Sequence, residues 1–123
     1  MGVALLRQGD ALIAAIQSDL TDGEVVQLRD EVTDRVGRER LDAIIIDVSA
    51  LDVIDSFVAR ALRGMAISAR LRGADTLVVG IQPDVAIAMA HFDLNLEPLL
   101  TATDLDEALA LLARRMEGDG GDG

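Results

Sequence analysis

The stretch Leu41–Gly73, LDAIIIDVSALDVIDSFVARALRGMAISARLRG, limits the possible folds most, because its apolar period changes partway along. Ala43 to Ile46 is a continuous apolar, β-branched run ending in Asp47 and Val48, the pattern of a strand covered on both faces. A short acidic loop follows. From Val58 onward, Val58, Ala61, Leu62, Met65 and Ala69 recur at three- and four-residue spacing, which predicts a helix with one core-facing stripe. The helix starts near Ser56, so Ser56 falls on the first turn, off the stripe and facing out.

The flanking segments extend the same alternation. Val3 to Arg7 and Ala11 to Ile16, separated by Gly9 and Asp10, predict a β-hairpin. Thr21 or Asp22 can cap a helix carrying Val25, Val26, Leu28, Val32 and Val36 on one side, with Gly37 expected to end it. Thr76 to Ile81 reads as a second parallel strand, and Pro83 beside Asp84 opens a short helix through Val85, Ile87, Ala88 and His91. Asn95 to Leu100 is the expected last strand. Thr103 with Glu107 is read as a capping box opening a final helix to Met116. The order implies one α/β domain, residues 1–117, with a mixed sheet, and a disordered Gly/Asp tail over residues 118–123.

Composition removes several function classes. At 123 residues the chain is one domain by length. It has no Cys, so disulfides and thiolate chemistry are absent and nothing points to an oxidising compartment. The start, MGVALLRQGD, lacks the pattern of a signal peptide and the apolar runs are too short for a bilayer, so the expected location is cytoplasmic, with no membrane partner. A net charge of −11 repels phosphate backbones, which argues against nucleic acid. All the basic residues are Arg, so Schiff-base chemistry and a Walker A lysine are excluded. The only aromatic residues are Phe57 and Phe92, too few to stack sugars or bases.

Ser56 is the candidate with the most chemistry. As a hydrolase nucleophile it would need glycines two residues to either side, where this chain has Ile54 and Val58, and His91 is the only histidine. Asp47, Asp52 and Asp55 are candidates for a cation site, and Asp47 for a phosphoacceptor, but a receiver domain needs an acidic pair after its first strand and a late lysine. The simpler role is that Asp55 caps the helix while the other two sit in solvent. Neither catalytic residues, cofactor nor metal site is expected. Ser56 as a phosphorylation target fits better, because a helix N-terminus offers unpaired N–H groups and the positive end of the helix dipole. On a helical wheel Ser56, Arg60 and Ile67 lie opposite Val58, Leu62 and Met65, with Phe57 and Gly64 beside them and Arg63 flanking. Such a mixed patch suits a protein partner. The alternative is that Phe57 tucks sideways under the next helix.

At these residues the chain resembles the STAS domain family, the anti-anti-sigma factors and their relatives, over nearly its whole length. The fold implied is a STAS-type mixed β-sheet with an N-terminal hairpin and helices packed mainly on one face. LDVIDSFVARALRG and VGIQPDVAIAM are similar to the single-domain stressosome scaffold branch. Anti-sigma antagonists proper carry small residues and a Gly just after the Ser, where this chain has Phe57 and Val58. The resemblance implies that Ser56 is phosphorylated by a serine kinase of the RsbT type. It also implies assembly with RsbR-type STAS paralogues, a resetting phosphatase of the RsbX type, and a partner-binding set of Asp55, Phe57, Arg60, Arg63, Gly64 and Ile67. Self-association, at least to a dimer, is expected from the resemblance and from a 50% apolar composition. The alternative is a direct antagonist of an anti-sigma kinase, or a nucleotide- or ligand-binding STAS module.

Overall fold

The computed structural model describes residues 2–121, with side-chain environments through Arg115. The elements in order are β1 (Val3–Gln8), β2 (Ala11–Ile16), α1 (Asp22–Glu39), β3 (Ala43–Asp47), α2 (Ser56–Leu71), β4 (Asp75–Val79), α3 (Pro83–His91), β5 (Leu100–Ala102) and α4 (Leu105–Gly121). The five strands lie in the sheet in chain order, β1 antiparallel to β2 and every other neighbour parallel. Gly9, at φ +61, makes the hairpin turn.

That topology decides where the helices go. Parallel strands joined by right-handed crossovers, laid down without reversing direction, place every crossover helix on the same face. Accordingly α1, α2 and α3 contribute Leu28, Val32, Leu62, Met65, Val85 and Met89 to one core layer, against Leu12, Ile44, Ile46 and Val78. The last helix, α4, is not a crossover and covers the opposite face, with Ala108 and Leu112 on Ile13, Ile45, Leu77 and Val79. Burial on both faces is why β3 is apolar without alternation.

Several local expectations shift by a few residues. The α1 cap is Thr21, in a reciprocal capping box with Glu24, but the helix passes through Gly37 and ends at Arg40, which takes a left-handed conformation at φ 54. Gly37 matters instead because the Arg72 side chain lies where its Cβ would be. Val26 is only half-buried, because Val25, Leu28, Val32 and Val36 already make the core face. In α2 the buried stripe is Ala59, Leu62, Met65, Ala66 and Ala69, while Val58 and Ala61 are half-buried on its flank. Ile87 is exposed in α3, where Val85 and Met89 face the core.

The strand β4 stops at Val79 because Gly80 turns away at φ +79. The expected strand at Asn95 to Leu100 is mostly a turn. Asn95 Oδ1 accepts from the Glu97 N–H at 2.8 Å and Leu99 N–H donates to Leu96 O at 2.8 Å, so Leu96 and Leu99 reach the core without a ladder. The α4 cap is Asp104, whose Oδ1 accepts from Glu107 N–H at 2.9 Å, so the Thr103 capping box does not form. Helix α4 continues through Gly121, past Met116, which places residues 118–121 of the expected tail on helical backbone. Positions 122 and 123 lie outside the described residues.

Candidate functional site: the Ser56 end of helix α2

Ser56 is held at the first position of α2 by its neighbours on both sides. Asp55 is the N-cap, extended at φ −85 and ψ 179, and its Oδ1 accepts from the Val58 N–H at 2.8 Å. Its carbonyl accepts the first helical bond, from Ala59 N–H at 2.9 Å. With capping assigned to Asp55, the Ser56 side chain is exposed and makes no hydrogen bond among the described residues.

The preceding loop, residues 48–55, is anchored at both ends. Leu51 and Ile54 are buried, Leu51 N–H donates to Val48 O at 2.9 Å, and Val48 N–H continues the ladder to Val79 O at 3.0 Å. Asp47 Oδ1 accepts from Ser49 N–H at 2.9 Å, folding the strand end into a turn. The loop before α3 then locks this turn in place. Gln82 Nε2 donates to Ser49 O at 2.8 Å, and a Cβ on Gly80 would come within 2.8 Å of Ser49 Cβ. Gly80 and Gln82 therefore belong to the site's support, a role that the local sequence pattern around them does not carry. The available signal was a glycine directly after a strand and facing a loop that must bend.

Of the predicted partner-binding set, Asp55, Arg60, Arg63 and Ile67 are exposed on this side, with Ile67 at 51%. Phe57 and Gly64 are half-buried, and nothing lies near where a Cβ on Gly64 would be. Arg63 Nε donates to Glu97 O at 3.0 Å, tying α2 to the turn before β5. His91 is exposed and packs edge-on against Phe92 at 5.4 Å, and no hydrogen bond joins it to Ser56. Among the described residues no group of three or more Asp, Glu or His side chains is arranged to hold a metal ion. No helix there is long and apolar enough to cross a membrane.

Beside the Ser56 loop, α1 and α2 leave a cleft of about 130 Å³ lined by Leu20, Val25, Leu51, Val58, Leu62 and Met65, with Asp19 and Asp55 also contributing. Hydrogen bonds from Thr21 hold the Glu24 carboxyl below its ordinary value, and the Arg35 guanidinium, with help from Arg7, does the same for Glu39.

An antiparallel hairpin feeding a parallel sheet in chain order, with an exposed serine at the start of the helix after β3, defines a small α/β module. Residues 3–108 match the STAS domain family, and the chain belongs to it. A Ser→Glu variant of RsbS from Moorella thermoacetica superposes with a TM-score of 0.80 at 31% identity, covering 94% of this chain and 97% of that one. A chain from the structure "Molecular architecture of the stressosome, a signal integration and transduction hub" gives 0.72 at 29% identity, covering 92% and 98%. The RsbT co-antagonist protein RsbRA of Bacillus subtilis (strain 168) is 24% identical over 83 residues, 68% of this chain. The chain spans only 30% of RsbRA.

Proposed function

We propose that the protein is a non-catalytic scaffold of the RsbS type that holds a stress-signalling serine kinase and releases it when Ser56 is phosphorylated. The observation that carries this is the division of labour at the start of α2. Asp55 supplies the cap, so the Ser56 hydroxyl is exposed and can be modified without dismantling the helix. The γ-phosphoryl group of ATP passes to the Ser56 oxygen, ADP leaves, and the hydroxyl proton goes to solvent.

The kinase is of the RsbT type, assembly is with RsbR-type STAS paralogues, and an RsbX-type phosphatase restores the starting state. The likeness to RsbS, to a stressosome chain and to an RsbT co-antagonist supports the kinase and the paralogues; the phosphatase and a cytoplasmic setting complete the proposal. The half-buried Phe57 and Gly64 together with the exposed Asp55, Arg60, Arg63 and Ile67 form the partner face. A nucleotide-binding role is less well supported, because the α1–α2 cleft is lined mainly by aliphatic side chains, and phosphate binding needs converging polar groups.

The test is intact mass after incubation with an RsbT-type kinase and ATP, followed by mapping of the modified residue. One phosphate on Ser56 is expected, and none on the Ser56→Ala variant. Modification at Thr21, Ser49 or Ser68 to the same extent in both proteins would reject the assignment.

A further inference from the structure

Helix α2 is electrostatically unlike the rest of the molecule. The chain carries 22 acidic residues and a net charge of −11, yet Ser56 to Arg72 contains Arg60, Arg63, Arg70 and Arg72 and no acidic residue. Elsewhere Arg7, Arg29, Arg35, Arg38 and Arg115 are each within ion-pair distance of a carboxylate, while Arg40 is exposed at the C-cap of α1. Among the described residues the four on α2 and its C-cap have no such partner. Arg63 spends its Nε on a backbone carbonyl, and Arg72 lies over Gly37.

Three of these charges, Arg60, Arg63 and Arg70, fall on one face. At 100° per residue, Ser56, Arg60, Arg63, Ile67, Arg70 and Leu71 share an arc of about 100°, a stripe roughly 22 Å long at 1.5 Å per residue. All six are exposed, Ile67 by 51% and Leu71 by 84%. An unneutralised basic stripe with two large apolar side chains matches the make-up of a protein interface, with Arg and aliphatic anchors and few competing acids.

We propose that this whole stripe, from Ser56 to Leu71, docks an acidic surface on the partner protein. The proposal rests on the phosphorylation reading above and adds the partner's chemistry and the mode of release. Ser56 and Arg60 are four residues apart with the anionic position N-terminal, the favourable order for a helical ion pair. A phosphate at Ser56 brings a charge of about −1.5 to −2, draws Arg60 into a pair on its own helix, and sets a repulsive charge against the acidic partner. The modification thereby removes a docking group as well as adding an opposing one.

Arg70 lies about 21 Å along the helix from Ser56, so it tests the stripe without touching the phosphoacceptor. The probe is a purified RsbT-type kinase, its affinity measured at about 50 and 300 mM NaCl, where the screening length falls from about 14 to about 6 Å. Arg70→Glu is expected to weaken binding about tenfold or more at low salt and to flatten its salt dependence, with Arg70→Gln intermediate. Arg29→Gln, off the stripe, should behave like wild type, and circular dichroism melting checks that each variant folds. Saturating kinase should still phosphorylate Ser56 in every variant. Wild-type affinity and salt slope in Arg70→Glu, with Ser56 still modified, would overturn the acidic docking surface and leave the phosphorylation reading standing. Absence of any Ser56 phosphate on wild type would instead overturn that reading. Binding of a 20-base-pair DNA duplex at about 150 mM NaCl that Arg70→Glu abolishes would also overturn the proposal, since the stripe's ligand would then be a nucleic acid.

Discussion

Asp55 and Ser56 are adjacent, exposed and polar, and they have separable roles. Asp55→Ala removes the oxygen that accepts from Val58 N–H, so it should cost about 1 kcal/mol of stability. Ser56→Ala removes a hydroxyl with no partner in the protein and should cost well under about 1 kcal/mol. Chemical denaturation of both variants checks the order, and an Ser56→Ala loss equal to that of Asp55→Ala would mean that Ser56 shares in capping. The Asp55 role was legible because an N-cap is fixed by groups three residues apart in sequence. A second single-residue effect concerns pH. Arg35 and Arg7 hold Glu39 below its ordinary 4.5, so its contribution is complete above that value and is lost as pH falls through the lower native one. Glu39→Gln should therefore melt lower than wild type at neutral pH, with the gap closing in acid below about pH 4 and shrinking in high salt, because the pair is partly exposed. Thermal melts of both proteins across pH would read it, and a gap that persists unchanged into acid would exclude the mechanism.

Along each element, period and caps identified the type and missed some ends and flanks. The spacing of Val58, Ala61, Leu62, Met65 and Ala69 predicts one apolar arc on α2, but this helix meets both the sheet and α1, so its buried positions spread over two directions. Val58 and Ala61 line the cleft with Val25 and Leu28 of α1, while Ala59 and Ala66, small enough to resemble surface alanines in the sequence, are in the core. The turn between α3 and β5 misled for a related reason. Leu96 and Leu99 are buried like strand residues although their backbone forms local turn bonds. Gly80 links two elements that no local pattern connects. Gly80→Ala forces a side chain into φ +79 and against Ser49, and should destabilise the domain by about 1–3 kcal/mol. It should also slow phosphorylation of Ser56 by displacing the 48–55 loop. Urea denaturation alongside initial phosphorylation rates tests this, and wild-type values for both would mean that the loop does not depend on the contact.

For the whole molecule, the exposed large apolar side chains Leu6, Val53, Ile67, Leu71, Ile87 and Phe92 are the counterpart of a mean hydropathy of +0.32. The helix α4 packs on β3, β4 and β5 and its cluster includes Ala11 and Ile13 of β2, leaving β1, with Leu6 62% exposed, outside its cover. Light scattering is expected to find at least a dimer, and larger particles once RsbR-type paralogues are added. A monodisperse monomer across concentration, alone and in the mixture, would contradict the scaffold role. The sequence by itself determined the order of strands and helices, an α1 cap at Thr21 or Asp22, the Asp55 cap and the outward placement of Ser56, because each follows from contacts within a turn or two of chain. Only the tertiary structure decided that α4 takes the opposite face from the other three helices, that Gly80 and Gln82 hold the Ser56 loop, and that Arg7 pairs with Glu39 and Arg115 with Asp75. Those outcomes depend on groups brought together across dozens of residues by strand order and crossover handedness, where no local period carries the information.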